Sequence, residues 1–339
     1  MTTIPKAPLW RGGPERARLC LGTMMFGDQT DEAEAGRVLD AYLAAGGDFV
    51  DTADVYAQGE SERLLGRLLG DRRGQVFLAT KVGNAMKAEP RSGTLSPAWI
   101  LDAADASAER LRTGTIDLYY LHRDDEATPL DEVIGALGEL IARGRIRHWG
   151  FSNFRAWKIA EMVRLADALG VARPVMAQPY YHLLNRTAET DLLPACRHFG
   201  IGVVPYSPLG RGVLTGKYRG GAVPEGSRAA RADARIMETE FLPETVAAAN
   251  WAADYAETTG RDSAGLAIQW VLANLAVSSV LIGPKTLAQL GGYLAATAVA
   301  YRAEDERTLS ALCASGQTPA PGHSDPRYAP RGRTTAFTG

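Results

Sequence analysis

Four residues of types that can move a proton lie at or just after the ends of three predicted strands: Asp51, Tyr56, Lys81 and His122. A free tyrosine has a pKa of about 10, so it exchanges a proton poorly at neutral pH unless a nearby positive charge stabilises its phenolate. Lys81 can supply that charge, and the Asp51 carboxylate can keep the lysine ionised. His122 can orient a substrate oxygen. The set suits hydride addition to a carbonyl, because the forming alkoxide must take up a proton.

The shared position of these residues is what favours a common site. Taken singly, an aspartate after a strand is usually a cap or turn residue, a tyrosine or histidine usually packs in a core, and a lysine usually lies in solvent. Here Asp51, Lys81 and His122 end apolar, β-prone runs, and Tyr56 lies in a loop a few residues past the first run. The pattern therefore indicates one catalytic group of four.

The elements that must position these residues alternate along nearly the whole chain. Apolar runs predict strands at residues 18–22, 48–51, 76–81, 116–122, 146–151, 175–178, 202–206 and 279–282. Amphipathic stretches predict helices at residues 32–45, 61–69, 97–111, 130–142, 156–169, 189–199, 264–274 and 287–296. Strands separated by helices pair in parallel, and eight such units close a (β/α)₈ barrel. Active sites of such barrels lie at the carboxyl ends of the strands.

Two additions interrupt the alternation. The connection between residues 206 and 264 is far longer than usual, which is typical of a lid or binding loop, and it contains a predicted extra helix near residues 243–257. Residues 303–314 predict a further helix after the eighth unit. We expect one barrel domain over residues 1–314. Residues 315–339, rich in Pro, Gly, Ser, Thr and Arg, predict a surface tail that is a loop or partly disordered.

Composition narrows the class of protein. With 339 residues, 46% of them hydrophobic, the chain can bury a substantial core, and its net charge of −2 gives no general attraction to nucleic acid or anionic lipid. No segment is apolar over the roughly 18 residues that a membrane helix needs, and no secretory signal is recognised. Cys20, Cys196 and Cys313 lack metal-like spacing and fit a reduced compartment. We expect a cytoplasmic protein without a metal, a nucleic-acid partner or a membrane partner.

The motifs of several other enzyme classes are missing. No Gly-x-Gly-x-x-Gly follows the first predicted strand, so a Rossmann domain is disfavoured. The run from Gly212 to Lys217 is one residue short of a phosphate-binding loop, and Gly150-Phe-Ser-Asn153 lacks the second glycine of a hydrolase nucleophile elbow. No zinc-protease or paired-cysteine motif appears. Hydrolase and metalloenzyme activities are therefore disfavoured.

The remaining strand ends carry polar residues that suit an amide and phosphates. Asparagine and glutamine pair with a carboxamide, a tyrosine ring can stack on nicotinamide, and a helix N-terminus with Lys and Thr can bind an anion. Singly, such residues are more often ordinary loop and cap residues. The residues concerned are Ser152, Asn153, Gln178, Tyr206, Ser207 and the segment from Gly283 to Thr286.

Several segments resemble, in order, the motifs of the aldo-keto reductases, particularly the branch that includes bacterial reductases and the potassium-channel β subunits. The similarity begins at Leu19-Cys-Leu-Gly-Thr-Met24 and extends to about residue 296. Its most specific parts are Asp51-Thr-Ala-Asp-Val-Tyr56 and Ile116-Asp-Leu-Tyr-Tyr-Leu-His122. The other matching segments are residues 59–62, 79–81, 150–153, 205–209 and 214–217.

The resemblance implies a (β/α)₈ barrel that binds an extended nicotinamide cofactor without a Rossmann motif. Tyr56 would be the general acid, Lys81 and Asp51 would tune its pKa, and His122 would contact the substrate carbonyl. Ser152, Asn153 and Gln178 would hold the carboxamide, and Tyr206 would stack on the nicotinamide. The other implied cofactor contacts are Gly22, Thr23, Met24 and Asp51 near the first strands, Ser207, Leu209, Arg211, Lys217 and Arg228 around the pyrophosphate, and Gly283, Lys285, Thr286 and Gln289 around the adenosine ribose and its phosphate.

Lys285 bears on the choice of cofactor, because a cation there can pair with a 2′-phosphate and favour NADP(H) over NAD(H). One departure from the family is that Gly292 and Tyr293 replace a frequent Glu-Asn pair that contacts adenine. This leaves two alternatives open: looser binding of adenine, or packing of Tyr293 on that ring. The substrate is less determined. Residues that can line its pocket are Met25, Phe26, Asp28, Asn84, Arg123, Tyr180 and Tyr181.

These residues leave three functions open. The first is an NADPH-dependent reductase of an aldehyde or ketone. The second is a regulatory or redox-sensing subunit that binds NADP(H) with little turnover, and the third is a sugar or secondary-alcohol dehydrogenase that works in the oxidative direction. The complete set of four catalytic residues favours an enzyme. The sequence leaves the natural substrate, the physiological direction and the oligomeric state open.

Overall fold

The computed structural model describes residues 3–328. Within this range eight parallel strands form one sheet, preceded by an antiparallel hairpin of β1 (Lys6–Pro8) and β2 (Glu15–Ala17). The parallel strands are β3 (Leu19–Gly22), β4 (Phe49–Asp51), β5 (Phe77–Val82), β6 (Ile116–Leu121), β7 (Ile146–Ser152), β8 (Met176–Gln178), β9 (Gly202–Val203) and β10 (Val280–Ile282). From β3 to β9 each strand pairs with the next along the chain, and β10 returns to pair with β3.

Contacts between the region of β9 and β10 close the sheet. Val203 forms a parallel bridge with Val277, and the Val203 carbonyl accepts a hydrogen bond of 2.9 Å from the Ser278 amide. The Leu281 amide then donates to the Pro205 carbonyl at 3.0 Å. The (β/α)₈ barrel predicted from the sequence is confirmed.

Helices cover the outside of this barrel. The helices that follow successive barrel strands are α1 (Glu32–Ala44), α2 (Glu60–Leu69), α3 (Pro97–Arg110), α4 (Leu130–Ala142), α5 (Ala156–Leu169), α6 (Leu192–Phe199), α9 (Ser263–Ala273) and α10 (Leu287–Ala296). The additional helices are α7 (Ala234–Met237) and α8 (Pro243–Thr258), both in the connection between β9 and α9, and α11 (Ala303–Ser310). Among residues 3–328, none of the helices combines the length and the apolar character needed to cross a bilayer.

Local sequence explains where these helices begin and which face they bury. Asp31 caps α1 by accepting a hydrogen bond from the Glu34 amide, and Asp262 caps α9 in the same way. In α4, the buried residues Val133, Leu137 and Leu140 follow the three- and four-residue spacing of a helix with one apolar face. These residues form the buried face of α4.

Three predicted boundaries differ from the structure by three residues or more. The seventh barrel strand ends at Val203 rather than at residue 206, because Pro205 has no N–H for the ladder, and Tyr206 forms only an isolated bridge with Tyr180. The sixth barrel helix begins at Leu192 rather than at residue 189, after a 3₁₀ turn over Thr187–Glu189. The helix predicted at residues 303–314 ends at Ser310.

The N-terminal hairpin, which the sequence analysis did not predict, closes the amino end of the barrel. Leu9, between its two strands, is fully buried against Phe49 and Phe77 of the barrel interior. The approach is so close that a Cβ at Gly202 would lie 1.6 Å from the Leu9 carbonyl oxygen. Since this end is closed by packing, the opening of the barrel lies at the carboxyl ends of the strands.

The part of the predicted tail that the structure describes returns to the barrel. The Ser315 hydroxyl donates to Glu189 at 2.6 Å, and the Arg186 amide donates to the Gln317 carbonyl at 2.9 Å. Asp325 forms an ion pair with Arg211 of the long connection at 3.4 Å. The division between a domain at residues 1–314 and a tail stays a prediction, and residues 329–339 lie outside the described part of the chain.

Candidate active site

The four residues first identified meet at the carboxyl end of the barrel. Asp51 is the last residue of β4, Lys81 is near the end of β5, and His122 directly follows β6. Tyr56 begins a 3₁₀ turn over Tyr56–Gly59 that leads into α2. Because β4, β5 and β6 are adjacent in the sheet, their last side chains lie side by side.

A reversed backbone after Tyr56 sets the position of its ring. Ala57 and Gln58 both adopt left-handed conformations, with φ of 46° and 55°. Such conformations are costly for residues other than glycine, and they persist only where the surrounding structure imposes them. The reversal lets the chain pass directly from Tyr56 into α2, and so the phenol lies over the end of the barrel.

Lys81 is fully buried and uses its ammonium group as a triple donor. It donates to the Asp51 carboxylate, to the Thr52 carbonyl at 2.7 Å and to the Tyr56 hydroxyl at 3.4 Å. Burial lowers the pKa of Lys81, but the charge of Asp51 and the contact with Tyr56 outweigh it and leave the pKa raised. We therefore describe this pair as an ammonium and a carboxylate.

Asp51 holds the lysine and is itself held by Gln178. One oxygen of Asp51 accepts from Lys81, and the other accepts from Gln178 Nε2 at 3.0 Å. Burial raises the pKa of Asp51, while Lys81 and Gln178 oppose that shift. Both carboxylate oxygens thus have donors, as a buried charge requires.

Two opposing effects act on the pKa of the Tyr56 hydroxyl. Burial raises its pKa, and the positive charge of Lys81 lowers it, with burial the larger effect, so that the net pKa lies above its ordinary value. A phenol in this state keeps its proton at neutral pH. The nearby ammonium is placed to stabilise the phenolate that remains when the proton leaves.

His122 is a neutral imidazole at the same place. Burial, followed by the charges of Lys81, Arg235 and Arg123, lowers its pKa well below the ordinary value. Its ring stands edge-on to that of Tyr56 with centroids 5.9 Å apart. Nδ1 of His122 is buried and has no hydrogen-bond partner within residues 3–328. A neutral imidazole has one N–H to donate, which suits a carbonyl oxygen.

Polar side chains from the next three strands form a connected network beside this group. Asn153, which has a left-handed backbone with φ of 61°, donates from Nδ2 to the His122 carbonyl and accepts from the Tyr206 hydroxyl, both at 2.9 Å. Ser152 Oγ donates to the Gln178 carbonyl at 2.7 Å. The Tyr206 ring is stacked on that of Tyr180, with centroids 5.2 Å apart. The network fixes a flat aromatic face next to amide and hydroxyl groups.

A cluster of positively charged side chains lies at the other side of the barrel opening, around Lys285. Burial lowers the pKa of Lys285, and the charges of Arg231, Arg228 and Lys217 lower it further. Lys285 Nζ donates to Gln29 Oε1 at 2.5 Å, and Arg228 pairs with Asp233 at 2.7 Å. The cations of this cluster repel one another, and a bound anion would relieve that repulsion. The cluster is therefore an electrostatic site for a polyanion.

One cavity of about 1010 Å³ joins these features. Most of the residues predicted for catalysis or cofactor binding line it. Those that do are Gly22, Met24, Asp51, Tyr56, His122, Ser152, Asn153, Gln178, Tyr206, Ser207, Leu209, Arg211, Lys217, Arg228, Gly283, Lys285 and Gln289.

Three predicted residues lie outside the cavity wall. Lys81 is buried beneath it. Thr23 is fully buried and bonds to the Asp51 carbonyl at 3.2 Å and to Ser61 Oγ at 2.9 Å. Thr286 is exposed and caps α10 by accepting from the Gln289 amide. The cofactor contacts expected of Thr23 and Thr286 stay predictions.

The residues suggested for the substrate pocket divide in the same way. Met25, Asn84 and Arg123 line the cavity. Phe26 and Tyr181 are buried in the core, Asp28 is exposed, and Tyr180 packs behind Tyr206. Sequence analysis missed Arg235 and Arg327, which line the cavity from the long connection and from the C-terminal segment. Neither follows a strand, so no periodic signal pointed to them.

A metal site finds no support in this part of the chain. Among residues 3–328, no group of three or more His, Cys, Asp or Glu side chains is placed to hold a metal ion. The three cysteines are buried free thiols.

Comparison with known proteins agrees with the fold. Residues 18–313 match the profile of the Aldo/keto reductase family. The chain is 35% identical over 325 residues to the uncharacterized oxidoreductase YrpG of Bacillus subtilis (strain 168), covering 92% of this chain and 97% of that protein. It is 35% identical over 288 residues to a probable voltage-gated potassium channel subunit beta of Arabidopsis thaliana, covering 83% and 88% of the two chains.

A third relative has a name that states an activity. The chain is 36% identical over 223 residues to aflatoxin B1 aldehyde reductase member 2 of Mus musculus, covering 65% of this chain and 59% of that protein. The family profile covers nearly the whole barrel, and two of the relatives align over most of their length. The chain belongs to the aldo/keto reductase family.

Proposed function

We propose that this protein is an NADP(H)-dependent oxidoreductase that reduces an aldehyde or a ketone to the alcohol, with Tyr56 as the proton donor. The observation that carries the proposal is the contact of 3.4 Å between Lys81 Nζ and the Tyr56 hydroxyl beside the neutral His122. Membership in the aldo/keto reductase family and the similarity to an aldehyde reductase support the reaction class. The expected cytoplasmic location is part of this proposal.

The residues present fit a nicotinamide dinucleotide phosphate. Asn153 and Gln178 carry amide groups that suit the carboxamide, and the face of Tyr206 suits the ring. The cationic cluster of Lys217, Arg228 and Lys285 suits the phosphates, including a 2′-phosphate. The bound cofactor supplies the hydride.

The protein residues supply the proton and bind the carbonyl oxygen. His122 donates its N–H to the carbonyl oxygen and orients it, since the imidazole is neutral. Tyr56 transfers its proton to that oxygen as negative charge develops on it. Lys81 stabilises the resulting phenolate across 3.4 Å, and Asp51 keeps Lys81 charged. In the oxidative direction the same groups act in reverse, with the phenolate of Tyr56 as the base.

One observation favours a second function. The similarity to a probable voltage-gated potassium channel subunit beta covers 83% of this chain. It supports a regulatory or redox-sensing subunit that binds NADP(H) and turns over slowly. The four catalytic residues are complete in this structure, which favours the enzyme.

A steady-state screen of the full chain separates these functions. The panel includes an aliphatic aldehyde, an aromatic aldehyde, a ketone and a keto sugar with NADPH and NADH, and the matching alcohols with NADP⁺ and NAD⁺. The proposal expects NADPH-dependent reduction of at least one carbonyl at a rate well above that of Tyr56→Phe. Tight NADPH binding with turnover no higher than that of Tyr56→Phe supports the regulatory subunit. Faster initial rates with alcohols at cellular cofactor ratios support a dehydrogenase.

A further inference from the structure

The ring of Tyr206, which lines the cavity, has a second aromatic ring behind it. The Tyr180 ring lies on it with centroids 5.2 Å apart and an angle of 12° between the two planes. The backbone sets this arrangement, because the two residues form a parallel bridge and the Tyr206 amide donates to the Pro179 carbonyl at 2.9 Å. Since Tyr180 covers one face of the Tyr206 ring, the opposite face is left for the cavity.

Glu240 of the long connection holds the hydroxyl end of Tyr180. The Tyr180 hydroxyl donates to Glu240 Oε1, and the Glu240 side chain is 2% exposed. Burial, followed by the charge of Asp325, raises the pKa of Glu240 well above its ordinary value. A carboxyl group in this state can stay buried as a neutral acid and still accept hydrogen bonds. Glu240 therefore acts as a fixed acceptor for Tyr180.

His182 donates to the same oxygen of Glu240. Nδ1 of His182 accepts from the Leu184 amide at 3.2 Å, so the proton of the neutral ring is on Nε2, which lies 3.3 Å from Glu240 Oε1. Burial, followed by the charge of Arg211, lowers the pKa of His182 to about 3, so the imidazole is neutral at physiological pH. Glu240 Oε1 thus has two donors, and both belong to the segment that follows β8.

A guanidinium also packs over the Tyr180 ring. Arg211 Cζ lies 4.7 Å from the centroid of that ring. Arg211 is itself held by an ion pair with Asp325 at 3.4 Å and by a hydrogen bond to the Thr239 hydroxyl. Tyr180 is therefore fixed at its ring by Arg211 and at its hydroxyl by Glu240, and both of these residues belong to the long connection.

The orientation of the Tyr206 ring matters to the reacting groups. The Tyr206 hydroxyl donates to Asn153, and Asn153 donates to the His122 carbonyl, both at 2.9 Å. A tilt of the Tyr206 ring would therefore disturb Asn153 as well as the face on which the proposed function places the nicotinamide. Whatever holds this ring in its plane also holds the cofactor ring.

We propose that Tyr180 is a positioning residue for the cofactor, which supports one face of Tyr206 so that the other face holds the nicotinamide. Glu240 and His182 keep Tyr180 in its plane. Aromatic stacking depends on geometry as well as on buried area, and a ring that is ordered before binding loses less entropy when its ligand arrives. This inference rests on the proposed function, because it concerns the same cofactor, and it adds a residue that lies behind the cavity wall.

Two ligands that differ by the nicotinamide ring provide the test. NADPH carries that ring, and ADP-ribose 2′-phosphate has the rest of the molecule without it. Titration calorimetry of the unmodified chain should give a lower Kd for NADPH. Tyr180→Leu should raise the NADPH Kd about three- to tenfold, as loss of a supported aromatic stack implies, and should change the Kd of ADP-ribose 2′-phosphate less than about twofold.

Milder variants test the contribution of the hydroxyl. Tyr180→Phe keeps the ring but loses the hydrogen bond to Glu240, so its NADPH Kd should rise only about two- to threefold. Glu240→Leu should match it, and Glu240→Gln, which keeps an acceptor oxygen, should bind NADPH as the parent does. An unchanged NADPH Kd in Glu240→Leu would overturn the role of Glu240. If Tyr180→Leu does not fold, these variants provide the same comparison of the two ligands.

A matched control separates positioning from a contribution to folding. Tyr255→Leu breaks another stacked pair, that of Tyr255 with Trp251 on α8, where the centroids are 5.8 Å apart. It should leave the ratio of the two Kd values unchanged, and a circular dichroism melt checks the folding of each variant. Equal losses of affinity for the two ligands in Tyr180→Leu, or an unchanged NADPH Kd, would show that Tyr180 serves the fold alone and would overturn the inference.

The same titrations distinguish this inference from the proposed function. A loss of affinity confined to NADPH, in a chain whose parent reduces no carbonyl, would support the positioning role and contradict the reductase. Equal losses in a chain whose parent does reduce a carbonyl would contradict the positioning role alone. Failure of the parent to bind NADPH would overturn both.

Discussion

The Lys81 ammonium lies 3.4 Å from the hydroxyl oxygen of Tyr56, with its charge held in place by Asp51. Burial raises the pKa of Tyr56 and Lys81 lowers it, and burial has the larger effect. The phenol therefore keeps its proton in the resting enzyme and has a stabilising charge ready for the anion that it becomes. This pairing is what a proton donor to an alkoxide requires.

Removal of the ammonium should slow the chemistry in both directions. Lys81→Met alone would leave the buried Asp51 charge unpaired at a cost of about 3–5 kcal/mol, so the test is the double variant Lys81→Met with Asp51→Asn. We expect kcat for reduction to fall by about 10²-fold or more, because the phenolate loses its stabilising charge. A circular dichroism melt checks folding. A kcat within fivefold of the parent would contradict the role of Lys81.

The pH dependence of the rate should report a neutral donor. Reduction needs the protonated phenol, and since the pKa of Tyr56 is raised, kcat/KM should stay constant through neutral pH and fall only above about pH 10. Oxidation needs the phenolate, so kcat/KM for oxidation should rise over the same pH range in which kcat/KM for reduction falls. The lowered pKa of His122 implies no inflection near pH 6.5. Rate profiles from pH 5.5 to 10.5 in both directions test this, and a reductive rate that halves near pH 6.5 would count against it.

A buried acid next to the site should make stability depend on pH. Asp54 is buried, and no side chain of a described residue donates a hydrogen bond to its carboxyl group. Burial, helped by the charge of Glu62, raises its pKa to about 8, against a smaller opposing effect of the Val55 backbone. The folded pKa exceeds the unfolded one, so folding takes up a proton, and this group's contribution to stability is lost as pH rises from about 4 to 8. Asp54→Asn cannot ionise. Its unfolding free energy minus that of the parent should therefore grow with pH, by at most about 5 kcal/mol.

Urea unfolding at pH 5, 6, 7 and 8 measures that difference. Asp71→Asn, at an exposed position, is the matched control and should track the parent at every pH. If the Asp54→Asn curve also runs parallel to that of the parent, the carboxyl is ionised in the folded protein and the inferred shift is wrong.

Cofactor preference should depend on Lys285. Lys285 lies among Lys217, Arg228 and Arg231, in the cationic cluster that we assign to the phosphates. Lys285→Ala should weaken NADPH binding about tenfold and NADH binding much less, because only NADPH carries the 2′-phosphate. Fluorescence titration gives both Kd values, with Lys87→Ala, an exposed lysine, as the control. An equal loss of affinity for the two cofactors would show that Lys285 does not bind the 2′-phosphate.

The sequence predicted those parts of the fold that depend on local pattern. Apolar runs ending in Asp51, Lys81 and His122 located the strands, and the carboxyl-end rule then placed the three side chains together. The hairpin of β1 and β2 escaped prediction because its strands, Lys6-Ala-Pro8 and Glu15-Arg-Ala17, contain no apolar run.

Arg235 and Arg327 were missed for a different reason. Both belong to segments without periodicity, and their positions depend on a contact between residues far apart in the chain, that of Arg211 with Asp325. The hydrogen bond from Gln178 to Asp51 is also a tertiary relationship, across 127 residues. Such contacts depend on how the barrel closes, which residue spacing does not specify.

The most direct test of the central claim is the turnover of Tyr56→Phe on an aldehyde that the parent reduces with NADPH. The substitution removes one oxygen and keeps the ring. We expect kcat to fall by about 10²- to 10⁴-fold while the NADPH Kd changes less than about twofold, and Tyr301→Phe, whose hydroxyl bonds to Glu306 away from the cavity, to behave as the parent. Full turnover by Tyr56→Phe would contradict the assignment of Tyr56 as the proton donor.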